Sequence, residues 1–366
     1  MPDIAPDPMP DIMPGISLPT QLEAPAVTAI TGGAGWFGQA LLHALTTPDN
    51  PWFRDGQIRV LCHTDDDAGV AAAVSPRVQV VRGGVTDAAA LKSLVDGGTE
   101  VDLVHAAGVI HPGAVAEFFA VNTEGTKAVV RAAVDSGVRR MVHVSSNSPF
   151  GVNPDINDVF RNDEPFHPYL GYGESKMQAE ESVRHAQQHD GLAAVVVRPP
   201  WFYGPYQPLR QTTFFKMVAG GRFPLFGGGH NRRSMVYVDH LVQGAVLAEL
   251  TEGVVGRSYW ISDAKPYPLT EIVSTVQDAL AAEGVAIKRG GLKAPNLVGN
   301  FAEKADRLIQ KTGRYQQAVH VLGEMNKTIA CDISAAQRDL GFDPQMSLFE
   351  GMRISIRWIK AQGVTL

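Results

Sequence analysis

Ala26-Val-Thr-Ala-Ile-Thr-Gly-Gly-Ala-Gly-Trp-Phe-Gly38, running on into the apolar helical pattern Gln39 to Leu45, decides how this 366-residue chain is read. A short apolar strand, a glycine turn and a helix come in the order that a dinucleotide site requires. Gly32 permits the tight turn, Gly35 lets the backbone approach a pyrophosphate, and Gly38 lets the helix pack closely on the strand. The phosphates would lie over the helix N-terminus, where free N–H groups and the dipole favour an anion.

The alternation continues outward from that stretch. Ile58 to Thr64, Val78 to Arg82, Val101 to Ala107, Met141 to Ser145 and Ala193 to Val197 read as strands. Helical patterns lie between them, among them Asp87–Val95 and a long amphipathic one over Phe118–Ser136. Continuous apolar strands alternating with helices predict an α/β fold, a Rossmann-type doubly wound parallel sheet covered on both faces. Past Arg198 the pattern loosens into Pro- and Gly-rich segments, a smaller mixed part of the kind that caps the strand ends where a ligand crevice lies. The expected organisation is a Pro/Asp-rich disordered tail over 1–25, a dinucleotide-binding domain over 26–198, and a mainly substrate-binding part over 199–366. Some segments of that last part return to the sheet. No internal repeat is found.

Composition narrows the partners. The net charge is −6, with no dense Lys/Arg stripe, so no nucleic acid is expected. No apolar run approaches the roughly 18 residues of a membrane span, so no membrane partner is expected either. The start, Met-Pro-Asp-Ile-Ala-Pro-Asp-Pro-Met-Pro, lacks the basic and apolar regions of a signal peptide. Cys62 and Cys331 are the only cysteines, which predicts no metal cluster or disulfide framework and fits a reducing cytoplasm. The eleven histidines show no metal-ligand spacing, and His105 and His143 fall within strands, as packed residues do.

Tyr172-Gly-Glu-Ser-Lys176 carries the candidate chemistry. A tyrosine and a lysine four residues apart on a helix project from one face, about one turn apart. Beside a nucleotide pocket the ammonium is expected to lower the phenol from its free pKa of about 10. A phenol tuned in this way exchanges a proton with a substrate hydroxyl near neutral pH.

Further motifs follow in order: His105-Ala-Ala-Gly108, Asn122-Thr-Glu-Gly-Thr126, Val144-Ser-Ser146, Arg198-Pro-Pro-Trp-Phe-Tyr-Gly-Pro205, Arg233-Ser-Met-Val-Tyr-Val-Asp239 and Asp332-Ile-Ser-Ala-Ala-Gln-Arg-Asp-Leu-Gly-Phe342. With these the chain resembles the extended short-chain dehydrogenase/reductase family, in its NAD-dependent epimerase/dehydratase branch. It is also similar to 3β-hydroxysteroid dehydrogenase-like members. The resemblance implies that Tyr172 is the proton acceptor or donor and that Lys176 holds the nicotinamide ribose. Ser146, counted back from Gly151, would hydrogen-bond the reacting oxygen, with Ser145 the near miss. It further implies cofactor contacts at Gly32, Gly35, Trp36, Phe37, Gly38, His63, Val85, Ala106, Ala107, Gly108, Asn122, Tyr172, Lys176 and Pro199. Substrate contacts are implied at Ser146, Asn147, Ser148, Tyr172 and Arg233. Helices flanking the fourth and fifth strands often pair subunits in this family, so a homodimer is expected by analogy.

Departures from the family pattern sharpen the reading. His63 stands where an acidic residue often binds the adenosine ribose, with Asp65, Asp66 and Asp67 just beyond. No basic residue closes that strand and the acidic run would repel a phosphate, so NAD is favoured, with NADP left open. Gly84 replaces an adenine-contacting Asp, leaving backbone groups near Val85. Ser146 is followed by Asn147 and Ser148 rather than the Asp-Glu pair with which the dehydratases expel water, so dehydration is not expected. Arg233 matches an arginine that grips the substrate pyrophosphate in sugar-nucleotide epimerases. Pro199 and Pro200, by contrast, look like the branch acting on 3β-hydroxysteroids and dihydroflavonols. The aromatic-rich region from Trp201 to Phe226 reads mostly as core. The first expectation is an NAD(P)-dependent nucleotide-sugar epimerase, and the second a dehydrogenase of a bulky hydrophobic hydroxy or keto compound. A non-catalytic dinucleotide-binding scaffold comes last, since it would need none of Ser146, Tyr172 and Lys176.

Overall fold

The computed structural model describes residues 19–366. Seven strands form its central sheet: β1 (Val27–Thr31), β2 (Gln57–Cys62), β3 (Val78–Arg82), β4 (Val101–His105), β5 (Arg140–Val144), β6 (Ala194–Arg198) and β7 (Ser258–Trp260). All pair in parallel, in the order β7-β6-β5-β4-β1-β2-β3. Every residue of β1, β4 and β6 is buried, the signature of strands covered on both faces. The order reverses between β1 and β4, so a crevice opens at their carboxyl ends.

The covering helices are α1 (Trp36–Thr46), α2 (Asp65–Val74), α3 (Ala88–Leu94), α4 (Gly125–Ser136), α5 (Leu170–His189) and α6 (Val238–Leu250). One core packs α1 and α6 against one face through Leu41, Leu45, Val242 and Val246. The other packs α3, α4 and α5 through Leu91, Leu94, Val129 and Val183. Both β7 and α6 come from the C-terminal part, so that part completes the sheet as well as capping it. The cap has its own core, including Phe215, Phe223, Phe226, Ile272, Val276, Met352 and Ile356. Its remaining piece is a packed helix pair, α7 (Asn296–Lys311) and α8 (Gln317–Glu324).

Two expectations are corrected. The pattern over Phe118–Ser136 predicts one helix, but wider π-type turns occupy Phe119–Glu124 before α4 begins. They carry Asn122 and Thr123, whose side chains bond to α5: Asn122 Nδ2 donates to Ser175 Oγ at 3.0 Å and Thr123 Oγ1 to the Ser175 carbonyl at 3.1 Å. Such a widened turn commonly marks a functional site. Of the tail expected over 1–25, positions 1–18 lie outside the described residues. From Thr20 the chain is already ordered, its carbonyl accepting from Glu252 N–H at 2.9 Å while Leu22 N–H donates to the Leu250 carbonyl at 2.6 Å.

Candidate active site

At the end of β1 the glycine turn is packed too closely on neighbouring backbone to accept side chains at two positions. Gly32 has φ +79°, and a Cβ there would lie 2.7 Å from the Ala106 carbonyl carbon; one on Gly38 would lie 2.1 Å from the Gly32 carbonyl oxygen. Helix α1 opens with no side chain capping its first N–H groups. An eleven-residue helix whose N-terminus no side chain caps, beneath a glycine-rich turn, fits the pyrophosphate of a dinucleotide. Ala106 and Ala107 lie against the turn, their N–H groups donating to the Thr31 carbonyl and hydroxyl at 3.1 and 3.2 Å.

Other expected cofactor positions divide into rim and brace. Trp36 donates from Nε1 to the Pro205 carbonyl at 2.7 Å, tying the turn to the cap. Phe37 and Pro199 are buried, Phe37 within the core. His63 is exposed, its ring against Gly84. The acidic run beside it is used locally, Asp65 pairing with Arg82 at 2.6 Å and Asp67 closing a capping box with Thr64. Val85 packs its side chain on Gly125, and Asn122 lies against Gly108. Asn122 exchanges hydrogen bonds with both the N–H and the carbonyl of Val109 at 2.8 and 3.0 Å, so it braces the loop after β4 against α5.

The reacting groups meet beyond β5. Ser145 Oγ donates to the buried Glu180 at 2.9 Å, and Glu180 also pairs with Arg198 and Arg184, so Ser145 is structural. Ser146 Oγ makes long bonds, accepting from Ser148 N–H at 3.3 Å and donating to Ser148 Oγ at 3.4 Å. Helix α5 docks on this turn through Gly173, where a Cβ would come within 2.5 Å of the Ser148 carbonyl oxygen. Tyr169 N–H donates to that same carbonyl at 3.1 Å. Leu170, the first helical residue, takes φ +53°, a strained entry that starts the helix over the Ser146 turn.

Tyr172 is half-buried beside Phe118, ring centroids 5.7 Å apart, with the Ser146 hydroxyl near enough to favour its ionised form. Burial pushes its phenol up to about 12; Ser146 pulls down and Glu324 pushes further up. The lysine does not depress the phenol as its spacing predicts, because Lys176 directs Nζ to the Val144 carbonyl at 2.9 Å. Lys176 is 5% exposed, and burial brings it down to about 8 against the favourable charge of Glu180. His105 spans Thr31 and Thr126 at 2.7 and 2.9 Å. Burial, then the Lys176 charge, keeps both His105 and His143 far below the usual imidazole range, so neither serves as an acid near neutral pH.

Over Tyr172 lies a roof that carries none of the quoted motifs. Gln310 Oε1 accepts from Gly171 N–H at 3.1 Å, next to Tyr172. Gln310 in turn donates to Asp306 at 3.0 Å, and Asp306 accepts from His320 at 2.7 Å. Hydrogen bonding to Asp306 raises the His320 pKa despite its burial. Tyr315 bonds His111 at 2.8 Å and sets its ring edge on Phe118, centroids 5.2 Å apart. Arg233 is 8% exposed and turns into this roof, its Nη2 donating to the Glu324 carbonyl. The Glu324 charge also favours the cationic guanidinium there. No motif marks Asp306, Gln310, Tyr315 or His320; the amphipathic period of 296–311 is a signal for the first two alone.

A doubly wound parallel sheet, a glycine turn under a bare helix end and a Ser-Tyr-Lys cluster together define a dinucleotide-binding oxidoreductase of the short-chain type. The model of the NAD dependent epimerase/dehydratase family matches residues 28–262, more than half of the chain, and the chain belongs to that family. NAD is its cofactor. An uncharacterized protein of Sinorhizobium fredii, y4nL, is 42% identical over 94% of this chain and 98% of its own length. A 4-hydroxy-2-methyl-3-oxo-4-farnesyl-3,4-dihydroquinoline-1-oxide ketoreductase of Stigmatella aurantiaca is 28% identical over 89% of this chain and 94% of its own. The solved dTDP-glucose 4,6-dehydratase DesIV of Streptomyces venezuelae, with NAD and TYD bound, shares the fold at TM-score 0.70. It is 24% identical, over 92% of this chain and 97% of that one.

Proposed function

We propose that this chain is an NAD-dependent dehydrogenase or ketoreductase that interconverts a secondary alcohol and a ketone in a bulky, mainly apolar substrate. The observation that carries this reading is the inward commitment of Arg233. A pyrophosphate-gripping arginine has its fork free, whereas this one is buried and gives its Nη2 to the Glu324 carbonyl; burial lowers its pKa and the Glu324 charge offsets only part of that. Tyr172 packs on the buried ring of Phe118, which in turn meets the buried Tyr315, so the setting of the phenol is apolar. The ketoreductase relative supports the same substrate class.

NAD, when bound, accepts a hydride from the carbinol carbon or returns it there. Ser146 steadies the substrate oxygen, and Tyr172 moves the proton at that oxygen. With its phenol near 12 before ligands bind, Tyr172 stays protonated at neutral pH, which suits donation in the reductive direction. Lys176 would hold the ribose hydroxyls from its place beside the Val144 carbonyl. Asn147 and Ser148 supply no carboxyl or other acid/base group for expelling water. The same reading carries a homodimer through α4 and α5, whose outer faces share a groove lined by Lys127, Arg131, Asp135, Gln178, Glu181 and His185.

A nucleotide-sugar epimerase is the second reading, favoured by the position of Arg233 in its motif. It requires Arg233 to leave Glu324 when substrate binds. Turnover of UDP-, GDP- and dTDP-sugars and of isoprenoid and steroid ketones, with Arg233→Ala alongside, separates the two. NADH consumption matched to ketone reduced, with sugars inert, is the expected result. Sugar interconversion without net NADH, and a KM raised sharply by Arg233→Ala, would establish the epimerase instead.

A further inference from the structure

Helix α7 presents an outward face that its own fold does not cover. Leu297, Phe301 and Leu308 are 66%, 68% and 64% exposed, and Val298 beside them is 43% exposed. Residues 297, 301, 304, 308 and 311 fall at alternating steps of four and three, so they form one row along the helix. That row reads Leu, Phe, Lys, Leu, Lys, with Lys304 and Lys311 both exposed. Leu292, 60% exposed, and the exposed Lys293 precede the helix; the exposed Arg314 follows it.

The acidic side chains of α7 are turned the other way. Asp306 is fully buried against His320, and Glu303 pairs with Lys327 at 2.8 Å and Arg307 at 3.4 Å. The outward face is therefore apolar and basic, on a chain whose net charge is −6. A second copy of the chain is a poor occupant, since pairing these rows would set lysine against lysine with no exposed carboxylate between them. An anionic bilayer answers both features at once: leucine and phenylalanine enter the boundary while lysines reach the headgroups.

We propose that α7 docks this protein on anionic lipid surfaces, lying in the plane of the interface. The inner side of the same helix bonds Gly171 through Gln310, one residue from Tyr172. Docking would set the roof of the site at the bilayer, where an apolar ketone concentrates. The binding itself does not depend on the apolar-substrate reading; only its use does.

The test is flotation of the full chain with vesicles of phosphatidylcholine alone and of phosphatidylcholine with phosphatidylglycerol, at low and high salt. Wild type is expected to float with the anionic vesicles and to release as salt rises. Phe301→Ser with Leu308→Ser is expected to lower partitioning by about tenfold or more. Lys304→Glu with Lys311→Glu is expected to remove the preference for phosphatidylglycerol. NAD affinity, unchanged in both variants, shows that the fold is intact. Absence of wild-type flotation, or flotation equal in wild type and variants, overturns the proposal. So does a dimer that Phe301→Ser with Leu308→Ser dissociates while no form of the protein floats, which assigns the face to a second copy. If flotation holds while turnover proves to be of sugars, the surface stands and the substrate reading falls.

Discussion

On the sheet side of the site, the reacting groups are held by the backbone. Tyr172 and Lys176 share one face of α5, Gly173 lets that helix settle on the Ser148 carbonyl, and Lys176 is anchored on Val144 at the end of β5. On the roof side, Asp306, Gln310, Tyr315 and His320 come from a helix pair and its connection, outside the matched family region, and bond side chain to side chain. The first arrangement leaves few choices of residue and serves any substrate with a carbinol carbon. The second can change residue by residue, and it faces whatever the substrate carries beyond that carbon. On the proposed function, chemistry and specificity are thus built on opposite walls by different kinds of contact.

The sharpest way to break this contrast is Tyr172→Phe. Turnover should fall by about a thousandfold or more, with NAD affinity and melting temperature close to wild type, because one oxygen is lost and little packing. Near-normal kcat would show that the sheet-side wall does not carry the chemistry. Gly173→Ala should come next. The added Cβ would meet the Ser148 carbonyl at 2.5 Å, backbone against backbone, so α5 must lift. Urea unfolding should register a loss of about 1–3 kcal/mol despite the better helix propensity of alanine.

Lys176→Met probes the same wall by pH. Its folded pKa is lowered from 10.5 to about 8, so at neutral pH the buried ammonium costs on the order of 3 kcal/mol. Between about 8 and 10.5 the unfolded chain binds more protons, and wild-type stability should rise with pH. The variant should melt higher than wild type near pH 7, by less than the full amount because Val144 loses its donor, and the gap should close above pH 10.5. It should also bind NAD more weakly. A gap that does not change with pH would contradict the buried, charged lysine.

The smallest effects are expected on the roof. His320→Gln should raise KM several-fold with kcat nearly unchanged, since it reshapes the wall without touching the reacting atoms. The His320 pKa is raised from 6.5 by Asp306, so the roof is firmest below 6.5 and loosens as pH climbs through the folded value. Wild-type KM should therefore drift upward with pH over that window, and Asp306→Asn should flatten the drift. An effect on kcat alone would move His320 into the chemical step.

How far the sequence could be read follows the same division. The glycine turn, the alternating strands and the Tyr172/Lys176 pair repeat with fixed periods and fixed neighbours, so residue order suffices to place them. The Phe118–Ser136 pattern could not show its π-type turns, because they arise from Asn122 and Thr123 reaching across to α5. Nor could the lysine's spacing show that its Nζ turns to Val144, or that burial would outweigh its charge on the phenol. From its motif alone Arg233 reads as a grip for a pyrophosphate. The partner that holds it, Glu324, lies 91 residues further on, a contact that only the folded roof creates.

On the proposed function, Tyr172 and Ser146 serve net hydride transfer to a carbonyl in a substrate without a pyrophosphate. NADH deuterated at the nicotinamide C4 position, supplied with an isoprenoid or steroid ketone, lets the label be followed. Deuterium at the new carbinol carbon, one NAD formed per alcohol, and no transfer with Tyr172→Phe are expected. Sugar stereoisomers interconverting with no net change in NADH, and no label in any ketone-derived product, would contradict that function.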